Sequence, residues 1–343
     1  MQNILVSVLM PVYNSSRFLD AAIQSILKQT FTNFEFILID DGSTDNSLDI
    51  IKSYLDPRIK VIVHEKNMGL IYTRNESVEI ATGKYLAFLD SDDIALPQRL
   101  EKQVDFMERN PDYAIVGSWI KTIDINDNVS DNTIRYTSPP EVIPSILLFK
   151  NYFTTSSVIV RKSTLPEKPF QKDFPIAEDY NVWIGIADKH KVWNLQEVLI
   201  HYRVHNENIS FVLKEKMIEL DHLQLSRQLS KFNYSFSKEE SDFYFLLGKT
   251  DRAEEYDLFL QTDFIFADSC FNKLITANNK NPRYEFSVFY QYISQFWDKL
   301  FVSIEKYHLH LFFSVKKSVF YKKLSISVKL KFLTKCLIGY KIK

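Results

Sequence analysis

FEFILIDDGSTD, residues 34–45, opens on a short apolar run that reads as a buried strand and then turns acidic at once. Residues 34–39 supply the strand; Asp40, Asp41, Gly42, Ser43, Thr44 and Asp45 are residue types that also favour turns and helix caps. In an open α/β sheet, ligands bind just past the carboxyl ends of the strands, so this junction is where chemistry is expected. The pattern repeats in GKYLAFLDSDD (83–93), where a strand at 85–89 runs into Asp90, Ser91, Asp92 and Asp93. Further strands are read at 4–10 and 59–63. Leu19, Ala22, Ile23, Ile26 and Leu27 have helical spacing, and a second helix is expected from Leu70 to Thr82, ended by Gly83 in a left-handed conformation. Pro97 suits the first turn of another helix, with Leu100, Val104 and Met107 inward. Strands separated by crossover helices predict a Rossmann-like, mostly parallel sheet flanked by helices, whose first half ends near residue 118.

From 119 to about 210 the sequence reads as the second half of the same domain. It offers a strand at SSVIVR (156–161), a helix from Glu178 to His190 and a strand through Val198 to Val204. Beyond Phe211, Phe, Tyr and Lys accumulate in helix-compatible segments. The division expected is a domain at 1–215 and a mainly helical C-terminal extension at 216–343 that carries a basic amphipathic tail.

The chain has 343 residues, 45% hydrophobic and 25% charged, ordinary values for a globular protein with a substantial core. Two cysteines, Cys270 and Cys336, are too few for a disulfide framework or a Cys-rich zinc site and fit a reducing cytoplasm. The first residues lack a basic start ahead of their apolar run, and every apolar stretch is interrupted early; neither a signal peptide nor a membrane span is expected. Seven glycines, none spaced as G-x-G-x-x-G or as a P-loop, remove most support for classical dinucleotide binding and P-loop phosphoryl transfer.

The acidic cluster at 90–93 demands a partner. Three carboxylates within four residues at the end of a buried strand repel one another unless something positive arrives, and a divalent cation with a phosphate would supply that. A solvated loop is the competing reading.

PVYN (11–14), DDGSTD (40–45), NMGL (67–70) leading to Arg74 and Asn75, GKYLAFLDSDD (83–93), AEDYNVW (177–183) and HYRVHNENIS (201–210) occur in this order. Together they resemble family 2 glycosyltransferases of the GT-A fold, over about residues 4–210. The resemblance implies transfer of a hexosyl or N-acetylhexosaminyl group from a nucleotide diphosphate sugar, UDP-linked by analogy, to a glycan or lipid-linked glycan in bacterial surface polysaccharide (capsule or O-antigen) synthesis. By resemblance, Pro11, Val12, Tyr13 and Asp41 bound the nucleobase, and Arg74 reaches the nucleotide site. Asp90 lies near ribose, Asp90, Ser91 and Asp92 form the D-x-D signature, and Asp92 with His205 holds Mn²⁺ or Mg²⁺. Asp93 is a further candidate for metal or sugar contacts, and the division of labour between it and Asp92 stays open. Asp179 is the expected general base, Glu178 and Trp183 its supports in acceptor or donor binding. One base and one metal describe a single, inverting displacement. Nucleotidyl transfer, or a catalytically inactive sugar-nucleotide-binding protein, is the alternative.

Charge is uneven. Residues 306–343 hold ten lysines and no acid, while the first 305 carry a net charge of −11. Peripheral attachment to an anionic membrane, on the inner face of the cytoplasmic membrane, is the expectation; the acidic body argues against nucleic acid. LSISVKLKF (324–332) alternates like a strand, whereas Val315, Val319 and Phe320 suit a helix, and a core-packed element with a solvated lysine face stays open.

Overall fold

The computed structural model describes residues 4–206, 208 and 212–341. The last part of the HYRVHNENIS motif, Glu207, Ile209 and Ser210, lies outside the described residues. The chain divides into two compact units, residues 1–143 with 151–220, and residues 144–150 with 221–343.

Nine strands among the described residues of the first unit form one sheet. β1 (Val6–Val12), β2 (Phe34–Asp40), β3 (Ile59–Val63) and β4 (Tyr85–Phe88) are its parallel half, in the order β3-β2-β1-β4. Their runs are apolar because both faces of β1, β2 and β4 are covered. α1 (Leu19–Leu27), α2 (Ser47–Lys52) and α3 (Leu70–Ile80) are the crossovers, and Leu19, Ala22, Ile23 and Ile26 pack into the core as their spacing requires. β5 (Ile94–Ala95) and α4 (Arg99–Arg109) follow, with Leu100, Val104 and Met107 buried.

The second half of the sheet departs from the expectation. β6 (Tyr113–Ile123) continues past residue 118 and pairs in parallel with β9 (Lys191–Arg203), while β7 (Val129–Ile134) and β8 (Ile159–Arg161) pair with β6 antiparallel. β8 also pairs antiparallel with β4, and β5 with β9, so the order is β3-β2-β1-β4-β8-β6-β9-β5. The register of β6 and β9 shifts at Ser118 and Trp119, which blurs the two-residue alternation that would have announced both strands.

α3 ends at Ile80, not Thr82, and Gly83 is not left-handed. Glycine is required there for a different reason. A Cβ at Gly83 would stand 2.5 Å from the backbone nitrogen of Ser7, because β4 enters the sheet hard against β1. Gly83 N–H donates to Ser7 Oγ (2.8 Å), Ser7 Oγ donates to Glu35 Oε1 (2.5 Å), and Thr82 N–H donates to the same oxygen (2.6 Å). Lys60 completes an ion pair with Glu35. This polar cluster ties the amino ends of β1, β2 and β4 together, at the end of the sheet away from the acidic loops.

The second unit is helical. Lys238–Leu247, Phe264–Lys280, Phe286–Val302, Leu309–Val315 and Ile326–Leu337 enclose an aromatic core that includes Phe271, Phe289, Trp297 and Phe320. Trp297 Nε1 donates to the buried Asp268 Oδ1 at 2.6 Å. The segment that could be read as strand or helix is a helix, capped by the Ser325 side chain on Val328 N–H. Among the described residues no helix is long and apolar enough to cross a membrane.

Candidate active site

The two acidic loops flank the carboxyl end of β1, because β1 pairs with β2 on one side and β4 on the other. The loop after β1 is stitched to the loop after β2. Asn14 N–H donates to Ser43 Oγ (3.0 Å), Thr44 N–H to Asn14 Oδ1 (2.8 Å), Ser15 N–H to Ser47 Oγ (2.9 Å) and Ser16 N–H to Asp45 Oδ2 (2.9 Å). Burial would raise the Asp45 carboxyl, but its hydrogen bonds from Ser47 and Ser16 outweigh this and bring it down to about 2. Gly42 has φ 69°, and a Cβ on it would sit 2.5 Å from the Lys66 carbonyl carbon, so the turn admits no side chain. Most of DDGSTD is thus spent on shaping the loop.

Asp41 is the exception that faces a network. Its Oδ1 accepts from Met68 N–H (2.8 Å) and its Oδ2 from Gly69 N–H (2.9 Å), and His64 Nδ1 lies 2.6 Å from Oδ1. The other ring nitrogen of His64 lies 2.6 Å from Glu76 Oε2. Two carboxylates that only accept require both ring nitrogens to donate. Burial disfavours that cation, but the hydrogen bonds to Asp41 and Glu76 overcome it and raise the His64 pKa above its ordinary value. Neither His64 nor Glu76 carried a signal in the sequence. Pro11 is half-buried and Tyr13 exposed beside this loop, whereas the Val12 side chain is buried in the core; Val12 serves through its carbonyl, which accepts Asp41 N–H at 2.8 Å.

Arg74, from α3, is buried and forks between the two remaining motifs. Nη2 donates to Asp90 Oδ1 (2.7 Å) and Nη1 pairs with Glu178. Burial works against the guanidinium's charge, but Glu178, Asp90 and Asp179 together raise its pKa. Burial pushes Glu178 up to about 7, Arg74 pulling it down and Asp179 adding to the rise.

Asp92 Oδ2 lies 3.0 Å from His205 Nε2 and accepts from Asn208 Nδ2 at 3.3 Å. Burial and then the charge of Asp90 raise its pKa, against His205. Ser91 shares a hydrogen bond with Ser15 (2.7 Å). Asp93 is fully buried, with Oδ1 accepting Arg203 N–H at 2.8 Å, and so pins the acidic loop to β9. Arg203 Nε in turn donates to the Asp92 carbonyl at 2.7 Å.

Helix Glu178–Ala187 presents Asp179 from its first turn. Asp179 Oδ2 accepts from Thr155 Oγ1 (2.5 Å), Asn151 Nδ2 (3.2 Å) and Trp183 Nε1 (3.3 Å). Trp183 is fully buried, edge-on to Phe88 and Phe153, and meets Asp179 through its Nε1. Thr155 sits in a 3-10 turn and Asn151 in the loop before it, and their polar residues gave no periodic signal.

Asp92 and His205, a carboxylate oxygen and an imidazole nitrogen side by side, suit a cation that takes one or two protein ligands and completes its shell with water and phosphate. Among the described residues no three His, Cys, Asp or Glu side chains converge into a closed metal cage.

Residues 7–164 match the family described as Glycosyl transferase family 2. An uncharacterized glycosyltransferase of Methanocaldococcus jannaschii is 37% identical over 221 residues, covering 62% of this chain and 76% of that protein. The Escherichia coli protein WfgD, a UDP-Glc:alpha-D-GlcNAc-diphosphoundecaprenol beta-1,3-glucosyltransferase, is 31% identical over 214 residues, 61% of this chain and 81% of its own. Among solved structures, S. aureus TarS in complex with UDP-GlcNAc superposes with a TM-score of 0.55 at 19% identity, covering 87% of this chain and 90% of that one.

Proposed function

Because the chain belongs to glycosyl transferase family 2 and is a glycosyltransferase of the GT-A fold, we propose that it moves a sugar from a UDP-linked donor to a hydroxyl of a surface glycan or lipid-linked glycan, with inversion. The observation that carries this is that Asp41 and the Asp90–Asp92 loop stand at the carboxyl ends of β2 and β4 on either side of β1, with His205, just past β9, against Asp92 and with Arg74 joining Asp90 to Glu178 beside Asp179 at the start of helix Glu178–Ala187. WfgD supports a lipid-linked acceptor and TarS a UDP-sugar donor by analogy.

In this reading Asp41, oriented by Met68 N–H, Gly69 N–H and His64, accepts the ring N–H of uracil. Tyr13 and Pro11 flank the base, and Asp90, anchored by Arg74, meets the ribose. Asp92 and His205 would hold a divalent cation, Mn²⁺ or Mg²⁺, which when bound supplies positive charge to the departing diphosphate. Asp179 takes the acceptor proton as the hydroxyl attacks the anomeric carbon; the acceptor oxygen–carbon bond forms as the carbon–phosphate oxygen bond breaks. Its carboxylate is aimed by Thr155, Asn151 and Trp183. One base, Asp179, acting on the acceptor while positive charge assists the departing diphosphate describes a single displacement and supports inversion.

The test is a thermal-shift panel of UDP, dTDP, GDP and CDP sugars with and without Mn²⁺, followed by product analysis of transfer from the best donor. Stabilisation by a uracil- or thymine-type donor that deepens with Mn²⁺ is expected. Absence of any shift across the panel would overturn the assignment.

A further inference from the structure

Helix Ile326–Leu337 is apolar on two faces. Phe332 and Cys336 are buried inward, with Phe332 against Phe301, Phe312 and Tyr321. On the other side Ile326, Leu330 and Leu337 are 76%, 58% and 60% exposed, Leu333 is half-buried between them, and Ile338 just beyond is 69% exposed. Steps of four, three and four residues place Ile326, Leu330, Leu333 and Leu337 on a single stripe. A water-facing helix ordinarily puts polar residues there, and a contiguous exposed apolar strip marks an interaction surface.

We propose that this stripe docks on an anionic lipid surface, the helix lying in the plane of the interface. Charge selects the occupant. Glu305 is the last acidic residue, and all ten charges from 306 onward are lysines. Lys322, Lys323, Lys331 and Lys341 are exposed along the same segment, Lys323 Nζ standing 3.5 Å over the Tyr290 ring, and ammonium groups on such flexible stems can turn to phosphate headgroups. A second copy of this chain would set like charges against each other, and a nucleic-acid backbone has no use for the isoleucine and leucines. At about 1.5 Å per residue a twelve-residue helix is roughly 18 Å long, short of the ~30 Å hydrocarbon core, so it rests on the membrane without crossing it. The inference is independent of the glycosyl-transfer reading.

The experiment is flotation of the full chain with vesicles of phosphatidylcholine alone or mixed with phosphatidylglycerol. The wild type is expected to float with the anionic vesicles and to lose about tenfold in partition as salt rises from about 0.1 to about 0.5 M. The variant Ile326→Ser/Leu330→Ser/Leu337→Ser, changed only at exposed positions, should lose at least about tenfold with its thermal midpoint retained. Lys322→Glu/Lys323→Glu/Lys331→Glu should lose as much, and its residual binding should ignore salt. Equal partition of wild type and both variants, or equal affinity for neutral vesicles, would overturn the proposal. A wild-type dimer that the serine variant turns into a monomer would give the stripe to a second copy and overturn it as well.

Discussion

Arg74 and Glu178, 104 residues apart, are joined in a buried ion pair, and the other arm of the same guanidinium reaches Asp90 at 2.7 Å. One side chain thereby ties the loop after β4 to the start of helix Glu178–Ala187. Lysine keeps the charge but loses the fork. Arg74→Lys should therefore lower kcat more than it lowers the melting temperature. Arg74→Ala should cost about 3–5 kcal/mol in denaturant unfolding, because Glu178 and Asp90 lose their common counter-charge.

Asp179 is held by three side-chain donors, and this separates its chemistry from its placement. Asp179→Asn should leave UDP-sugar binding by calorimetry unchanged and lower transfer at least about 100-fold. Trp183→Phe fills nearly the same space and removes the Nε1 donor. A loss of about tenfold in kcat with KM for the donor unchanged is expected, and an unaltered kcat would remove Trp183 from the positioning of Asp179.

His205 and Asp92 are adjacent, and a divalent cation that these two residues would hold would depend on both. Asp92→Asn and His205→Ala should each raise the Mn²⁺ concentration for half-maximal activity by at least about tenfold. EDTA should abolish transfer in the wild type, and added Mn²⁺ should restore it. Activity that persists in EDTA would exclude this part of the mechanism.

Glu35 contributes to the acid limb of stability. Burial favours its neutral form, but Lys60, Ser7 and Thr82 outweigh burial and lower its pKa from 4.5 to about 2. A carboxylate more acidic in the folded than in the unfolded state stabilises fully above pH 4.5, and the contribution disappears as pH falls toward 2. Glu35→Gln should cost about 1.5–3 kcal/mol at pH 7 and flatten the stability curve between these limits in urea titrations. Transfer kinetics at neutral pH should be unaffected, since Glu35 lies at the end of the sheet away from the acidic loops.

The local sequence was sufficient for β2, β3 and β4, for the inner faces of α1 and α4, and for the acidic character of the loops after β2 and β4. Each of these depends on neighbours within one turn or one strand, and periodicity records such neighbours directly. Contacts over long separations left no such mark. The β6/β9 pair with its register shift, Arg74 between Asp90 and Glu178, and His64 between Asp41 and Glu76 exist only because distant segments are brought side by side. Burial likewise separated residues that motifs treat alike. Asp92 stands beside His205, while its neighbour Asp93 is enclosed and bound to Arg203 N–H. Residue type and spacing decided which chemistry was available; the crossing of strands and helices decided which oxygen or nitrogen is free to perform it, since desolvation and hydrogen bonding are properties of the assembled neighbourhood and not of the chain.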